Sequence, residues 1–263
     1  MDQMFTLVKR ILHFFVVFTF SIISTHAQST FHSQTPFQIQ FPFQVQSPFQ
    51  ASNASSFNDS ICDLKSTLHK PKIGQFVMPL ALFGVGFLVS GDDDILDKYE
   101  FREERNERFN NFHTKVDDYL QFAPLTAGYG MLAFNGRGNA WHYTRQIILT
   151  EFILGVSVTG IKTWTKVMRP DGGSKNSFPS GHTAQAFASA TLFSDYFAED
   201  NPWLKAAAYL TATSVGVLRV MNNRHWVPDV IAGAGVGIIS AKLSAFVFEK
   251  KCKKQHHVVL AGF

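Results

Sequence analysis

Between Lys162 and Asp229 the chain gathers side chains able to hold an anion and break a bond to it: Lys162, Arg169, Ser180, Gly181, His182, Arg219, His225 and Asp229. The planar fork of arginine matches phosphate oxygens bidentately, lysine adds a point charge, and backbone N–H groups at a Gly-containing helix start aim further donors at an anion. Once an anion is held, one imidazole can attack phosphorus while a second protonates the leaving oxygen. Each residue alone has a plainer reading. Ser180 followed by Gly181 is ordinary helix N-cap chemistry, and a lone Lys162 or Arg169 at a helix end is a membrane-interface anchor. Taken with both histidines, the set suits holding a phosphate and breaking its ester.

Such residues need elements to bring them together, and the apolar runs supply candidates. Ile73 to Ser90 is uncharged over 18 residues, at the lower edge of what spans a bilayer, with Pro79 near its middle as an expected kink. Asp92 to Asp118 is the most charged stretch and reads as a solvated or interfacial amphipathic helix, with Asp92, Asp93 and Asp94 favouring its start and no metal site expected of them. Further helices are expected over Tyr119–Phe134, with Gly128 and Gly130 as packing positions, and over Gln146–Val167, Thr183–Phe197, Pro202–Leu218 and Pro228–Phe248. A turn at 135–139 and a flexible polar loop at Asp171–Phe178 separate them, and Gly233, Gly235 and Gly237 allow the last helix to pack closely. In an up-and-down bundle, the ends of helices three and five share one side with the starts of four and six. Lys162 and Arg169 close the third, His182 opens the fourth, Arg219 closes the fifth and Asp229 opens the sixth, so topology alone predicts one site.

Lys162-x6-Arg169-Pro170, then Pro179-Ser180-Gly181-His182, then Arg219-x5-His225-x3-Asp229 resembles the three-part signature of the phosphatidic acid phosphatase type 2 superfamily, which also includes class A acid phosphatases and vanadium haloperoxidases. The resemblance covers roughly residues 73–248 and departs at Leu218, where the family usually has serine before the arginine. It implies an all-α, six-helix bundle, here membrane-embedded, in a bacterial membrane-associated member. It also implies roles. His225 is the expected nucleophile, forming a phosphohistidine. Asp229, one helical turn on, orients it by accepting a ring N–H. His182 is the expected general acid, and Lys162, Arg169, Arg219, Ser180 and the Gly181 amide hold the phosphoryl oxygens. No metal and no cofactor are expected.

Composition agrees with a small polytopic membrane protein: of 263 residues 46% are hydrophobic and only 17% charged, and the charges lie between the apolar runs. The net charge of +4 owes much to Lys250, Lys251, Lys253 and Lys254, a juxtamembrane cluster, and no nucleic-acid motif appears. Two cysteines, Cys62 and Cys252, have no metal-ligand spacing. Four segments are expected. Residues 1–27 read as a signal peptide, 28–72 as a Phe/Gln/Pro/Ser linker in which Pro36, Pro42 and Pro48 recur every sixth residue, 73–248 as the phosphatase domain and 249–263 as a basic tail. The four lysines favour a cytoplasmic tail and therefore a periplasmic site, which six full crossings after an exported leader would not give. The Pro79 run is accordingly expected to be re-entrant or interfacial. The expected substrate is a lipid phosphate monoester or terminal phosphate. The alternatives are a soluble broad-specificity acid phosphatase, a vanadium haloperoxidase, or a non-catalytic membrane protein.

Overall fold

The computed structural model describes residues 73–91, 98–110, 112–135 and 140–260. The leader, the Pro-rich linker, the Asp92–Asp94 run, the turn after residue 135 and the side chains of the C-terminal lysines lie outside the described residues. Among those described there are eight α-helices and no strand.

A 3-10 turn at Ile73–Phe76 leads into α1 (Val77–Gly91). Pro79 is the third residue of that helix, in the first turn, where no intrahelical donor is lost; the expected mid-run kink is therefore absent. The charged stretch is two elements instead of one amphipathic helix, α2 (Lys98–Arg108) and the short α3 (Val116–Leu120). Helix α4 (Ala123–Asn135) starts anew because Pro124 suits a first turn and cannot continue one, which splits the expected Tyr119–Phe134 helix. Helix α5 (Ala140–Thr165) starts earlier than expected. Its end is marked by Lys166, whose left-handed φ of 50° comes with a Lys166 N–H to Lys162 C=O bond of 3.1 Å. Helices α6 (Gly181–Phe197), α7 (Pro202–Met221) and α8 (Val227–Leu260) complete the bundle.

Helix α6 is the axis. Every residue from Thr183 to Ser194 is buried, as a helix without a polar face must be. Its alternating alanines, Ala184, Ala186, Ala188 and Ala190, let neighbours approach from all sides, and Thr191 donates to the Phe187 carbonyl one turn back at 2.7 Å. Helix α8 lies against it through glycines. A Cβ at Gly237 would overlap the Ala184 carbonyl, one at Gly233 would sit 2.6 Å from the Ser180 carbonyl, and one at Gly235 would sit 2.5 Å from the Pro79 carbonyl of α1. Gly128 serves similarly beneath Tyr143, whereas Gly130 faces open space and has no packing role.

Among the described residues, three helices are long and apolar enough to cross a membrane, Ile73–Gly91, Ala140–Thr165 and Val227–Phe248. On α5 the stripe Ile148, Phe152 and Val156 is 60–68% exposed, at a spacing of four residues, so an apolar face points away from the bundle. Lipid would cover it.

Candidate active site

The site is built where α5, α6, α7 and α8 meet at one end, and local rules fix each piece. Helix α7 ends in a Schellman arrangement: Asn223 takes φ 58°, its N–H bonds the Val220 carbonyl at 2.9 Å, and the Arg224 N–H bonds the Arg219 carbonyl at 3.0 Å. The chain thereby reverses and presents His225 just before α8. In the first turn of α8, Asp229 reaches back and accepts the backbone N–H of Trp226 at 2.9 Å, half of a capping box, beside Pro228. The Asp229 side chain is therefore fixed by the start of its own helix.

His225 is 2% exposed, with Nδ1 3.5 Å from Asp229 Oδ2 and 3.4 Å from Ser177 Oγ. Ser177 donates to the same Asp229 oxygen at 2.5 Å and so stands between the two partners as much as beside them. Burial pushes the imidazole down to about 4, with Lys162 and Arg219 adding to the effect and Asp229 opposing it. His225 is thus a neutral ring whose Nδ1 faces acceptors, leaving Nε2 as the available nucleophilic nitrogen.

Cations surround this ring. Arg169 feels the charges of Arg219 and Asp229, and Lys162 and Arg219 act on His225. The Lys162 ammonium donates to the Asn176 carbonyl. The Nε–H groups of Arg169 and Arg219 are buried and have no hydrogen-bond partner among the described residues. Unmet buried donors of this kind are uncommon and suit a ligand with acceptor oxygens. Ser180, fully buried, is the N-cap residue of α6, yet its side chain makes no cap bond; it accepts the Thr183 hydroxyl at 2.9 Å, and its N–H bonds the Asp229 carbonyl. Gly181 opens the helix beside Val158, where a Cβ would meet only ordinary contact at 3.7 Å. His182 lies in the first turn and bonds Asp118 Oδ1 through Nε2 at 2.9 Å. The eight residues expected from the sequence therefore share one end of the bundle. At Leu218 the backbone carbonyl takes the Asn222 N–H, and Arg219 is held from elsewhere.

That holding residue is Asp117, which the reading of Asp92–Asp118 as a solvated helix missed. It is fully buried and pairs with Arg219 Nη1 at 2.6 Å while accepting Asn222 Nδ2 at 3.1 Å. Nothing in the sequence distinguishes it from the other acids of that mixed-charge stretch. Ser177 was missed as well, being an unremarked serine in a polar loop. The loop is not loose as expected. The Arg169 N–H bonds the Ser174 carbonyl at 3.0 Å, the Ser177 N–H bonds the Val167 carbonyl at 2.9 Å and Arg224 pairs with Asp171 at 3.1 Å. Just before the loop, the Trp226 indole N–H bonds the Met168 carbonyl at 2.8 Å and Arg102 the Pro170 carbonyl at 3.1 Å. Trp226 is consequently a buried strut, whereas Trp164 is 73% exposed.

Asp117, Asp118 and His182 bring ligand-type atoms within 4.8 Å of one another. Both Asp117 oxygens are already engaged, one by a guanidinium, so the group is better described as ion pairs than as a cation site.

Known proteins provide a comparison. A family model described as the PAP2 superfamily matches residues 139–252. A lipid A 1-phosphatase of Porphyromonas gingivalis is 36% identical over 181 residues, which is 68% of this chain and 40% of that protein. The chain thus matches about two fifths of the length of that relative. Among solved structures, Aquifex aeolicus LpxE is 25% identical, with 54% of this chain and 93% of that one covered and a TM-score of 0.42. A transmembrane PAP2-type phosphatidylglycerolphosphate phosphatase of Bacillus subtilis is 18% identical, with 90% and 97% covered and a TM-score of 0.40.

Proposed function

We propose, for a chain that belongs to the PAP2 superfamily through its residues 139–252, that it is a membrane phosphatase removing a phosphate from a lipid headgroup. The observation that carries the reading is the pairing of a buried neutral imidazole, His225, with two buried guanidinium N–H groups, on Arg169 and Arg219, that lack an acceptor. A phosphoryl group supplies those acceptors. Lys162, Arg169, Arg219 and the amide of Gly181 hold its oxygens, and Ser180 shapes the same wall. His225 Nε2 attacks phosphorus, Asp229 and Ser177 hold Nδ1, and His182 gives a proton to the leaving oxygen. Water then attacks the phosphohistidine with His182 as base, and inorganic phosphate leaves. No metal or cofactor takes part.

The lipid class is supported by the outward apolar stripe of α5 and by the relative named for lipid A. An acyl chain lies along the helices while its headgroup meets the cations at their end. The domain of residues 73–248 carries the activity, the leader 1–27 and linker 28–72 precede it, and the tail 249–263 stays cytoplasmic, so that the site opens to the periplasm. Because Ile73–Gly91 is one unbroken helical element, a re-entrant first run is not part of this proposal. Phosphate release from lipid A, phosphatidic acid and phosphatidylglycerol phosphate in detergent, for the wild type beside His225→Ala, tests the proposal. Release dependent on His225 and favouring a lipid supports it, and equal release by the variant overturns it.

A further inference from the structure

Two adjacent carboxylates on the short helix α3 divide the site between them. Asp117 is buried and serves Arg219; Asp118 is half-exposed and serves His182, with Oδ1 2.9 Å from Nε2 and 3.8 Å from Arg219 Nη1. The segment carrying them is fixed. Asn222 at the end of α7 donates to the Thr114 carbonyl at 2.9 Å and accepts the Thr114 N–H at 2.9 Å, a reciprocal pair that sets the register of α3 against the site. Asp118 therefore meets His182 by construction.

We infer that Asp118 is a positioning residue for leaving-group protonation, turning the His182 ring by its Nε2–H and stabilising the imidazolium so that Nδ1–H faces the leaving oxygen. The inference rests on the phosphatase reading. As the P–O bond breaks, the proton on Nδ1 passes to the leaving oxygen and His182 becomes neutral. When water attacks the phosphohistidine, its proton returns to Nδ1 and the P–N bond breaks. Asp118 accepts a hydrogen bond throughout and exchanges no proton. Burial first, and then the Arg219 charge, push the His182 ring below its ordinary value. Asp118, through its hydrogen bond and its charge, opposes them, with Asp117 adding to it at longer range, so Asp118 is the direct partner that keeps a proton on the ring.

Protonation matters most for poor leaving groups, and this gives a test that a purely structural role would fail. The rate constant kcat/KM is measured for a series of alkyl and aryl phosphates graded in leaving-group acidity, with wild type, Asp118→Asn, Asp118→Glu, His182→Ala and the double variant. General acid catalysis is worth roughly 10²–10⁴-fold, so Asp118→Asn should lose about 10–100-fold on alkyl phosphates and only a few-fold on p-nitrophenyl phosphate. Asp118→Glu should recover part of the loss, and Asp118→Asn should add little in the His182→Ala background. An equal loss across the series overturns the inference, as does a loss additive with His182→Ala. A gain on all substrates would show that Asp118 obstructs the site and would overturn it too. If the wild type releases phosphate from none of them, the phosphatase reading falls first and this inference with it.

Discussion

Acidification should reveal the buried imidazole twice, once in rate and once in stability. His225 has an ordinary value of 6.5 and is held at about 4 by burial. Between those values the unfolded chain binds a proton that the folded one does not, so stability is full above about pH 6.5 and falls as pH drops toward 4. At about 1.4 kcal/mol per unit, a difference of about 2.5 units corresponds to about 3.5 kcal/mol in full, of which about 3 is lost by pH 4. The same group must be neutral to attack phosphorus, so the acid limb of kcat/KM should lie near pH 4 and not near 6.5. The assay is kcat/KM across the acid range, with thermal unfolding in detergent for the wild type and His225→Gln. The wild type should lose about 3 kcal/mol more than the variant between neutral pH and about pH 4. Asp229→Asn removes the partner that opposes burial and should move the limb lower still. An acid limb centred near 6.5, or equal acid sensitivity of wild type and His225→Gln, would refute the assignment of His225 as a neutral buried base.

Other perturbations probe the scaffold. Asp117→Ala leaves the buried Arg219 charge without its partner and should cost about 3–5 kcal/mol in unfolding free energy; a loss under 1 kcal/mol would mean that the pair is not structural. Gly237→Ala gains about 1 kcal/mol of helix propensity but drives a methyl into the backbone of Ala184 and Ala188, so its net effect should be a lower Tm, and a higher one would contradict the packing of α8 on α6. Lys166→Gly relieves a left-handed conformation costing about 1–2 kcal/mol and should raise Tm. Chelation with EDTA should leave phosphate release unchanged, and strong inhibition would mean that Asp117, Asp118 and His182 hold a cation after all.

The helices were legible because α1 and α4 to α8 are long apolar runs punctuated by proline and glycine, and the site was legible because its ends alternate along an up-and-down bundle. What sequence could not give was the identity of the partners. Asp117 looks like any acid in a mixed-charge stretch until α3 folds under Arg219, and Ser177 is one serine among several until Asp229 reaches back to Trp226. These are contacts across 102 and 52 residues, set by tertiary packing and invisible to local pattern. Pro79 misled for the opposite reason: the apolar run begins at Ile73, but its α-helix begins only at Val77, so the proline falls in a first turn that tolerates it.

Rapid quenching with a lipid substrate labelled in its phosphate, followed by peptide mapping, tests the account most directly. We expect an acid-labile phosphoryl group on His225 that forms before free phosphate appears and is missing from His225→Ala. Label on another residue, or phosphate released with no labelled protein at any time, would contradict a mechanism in which His225 is the nucleophile.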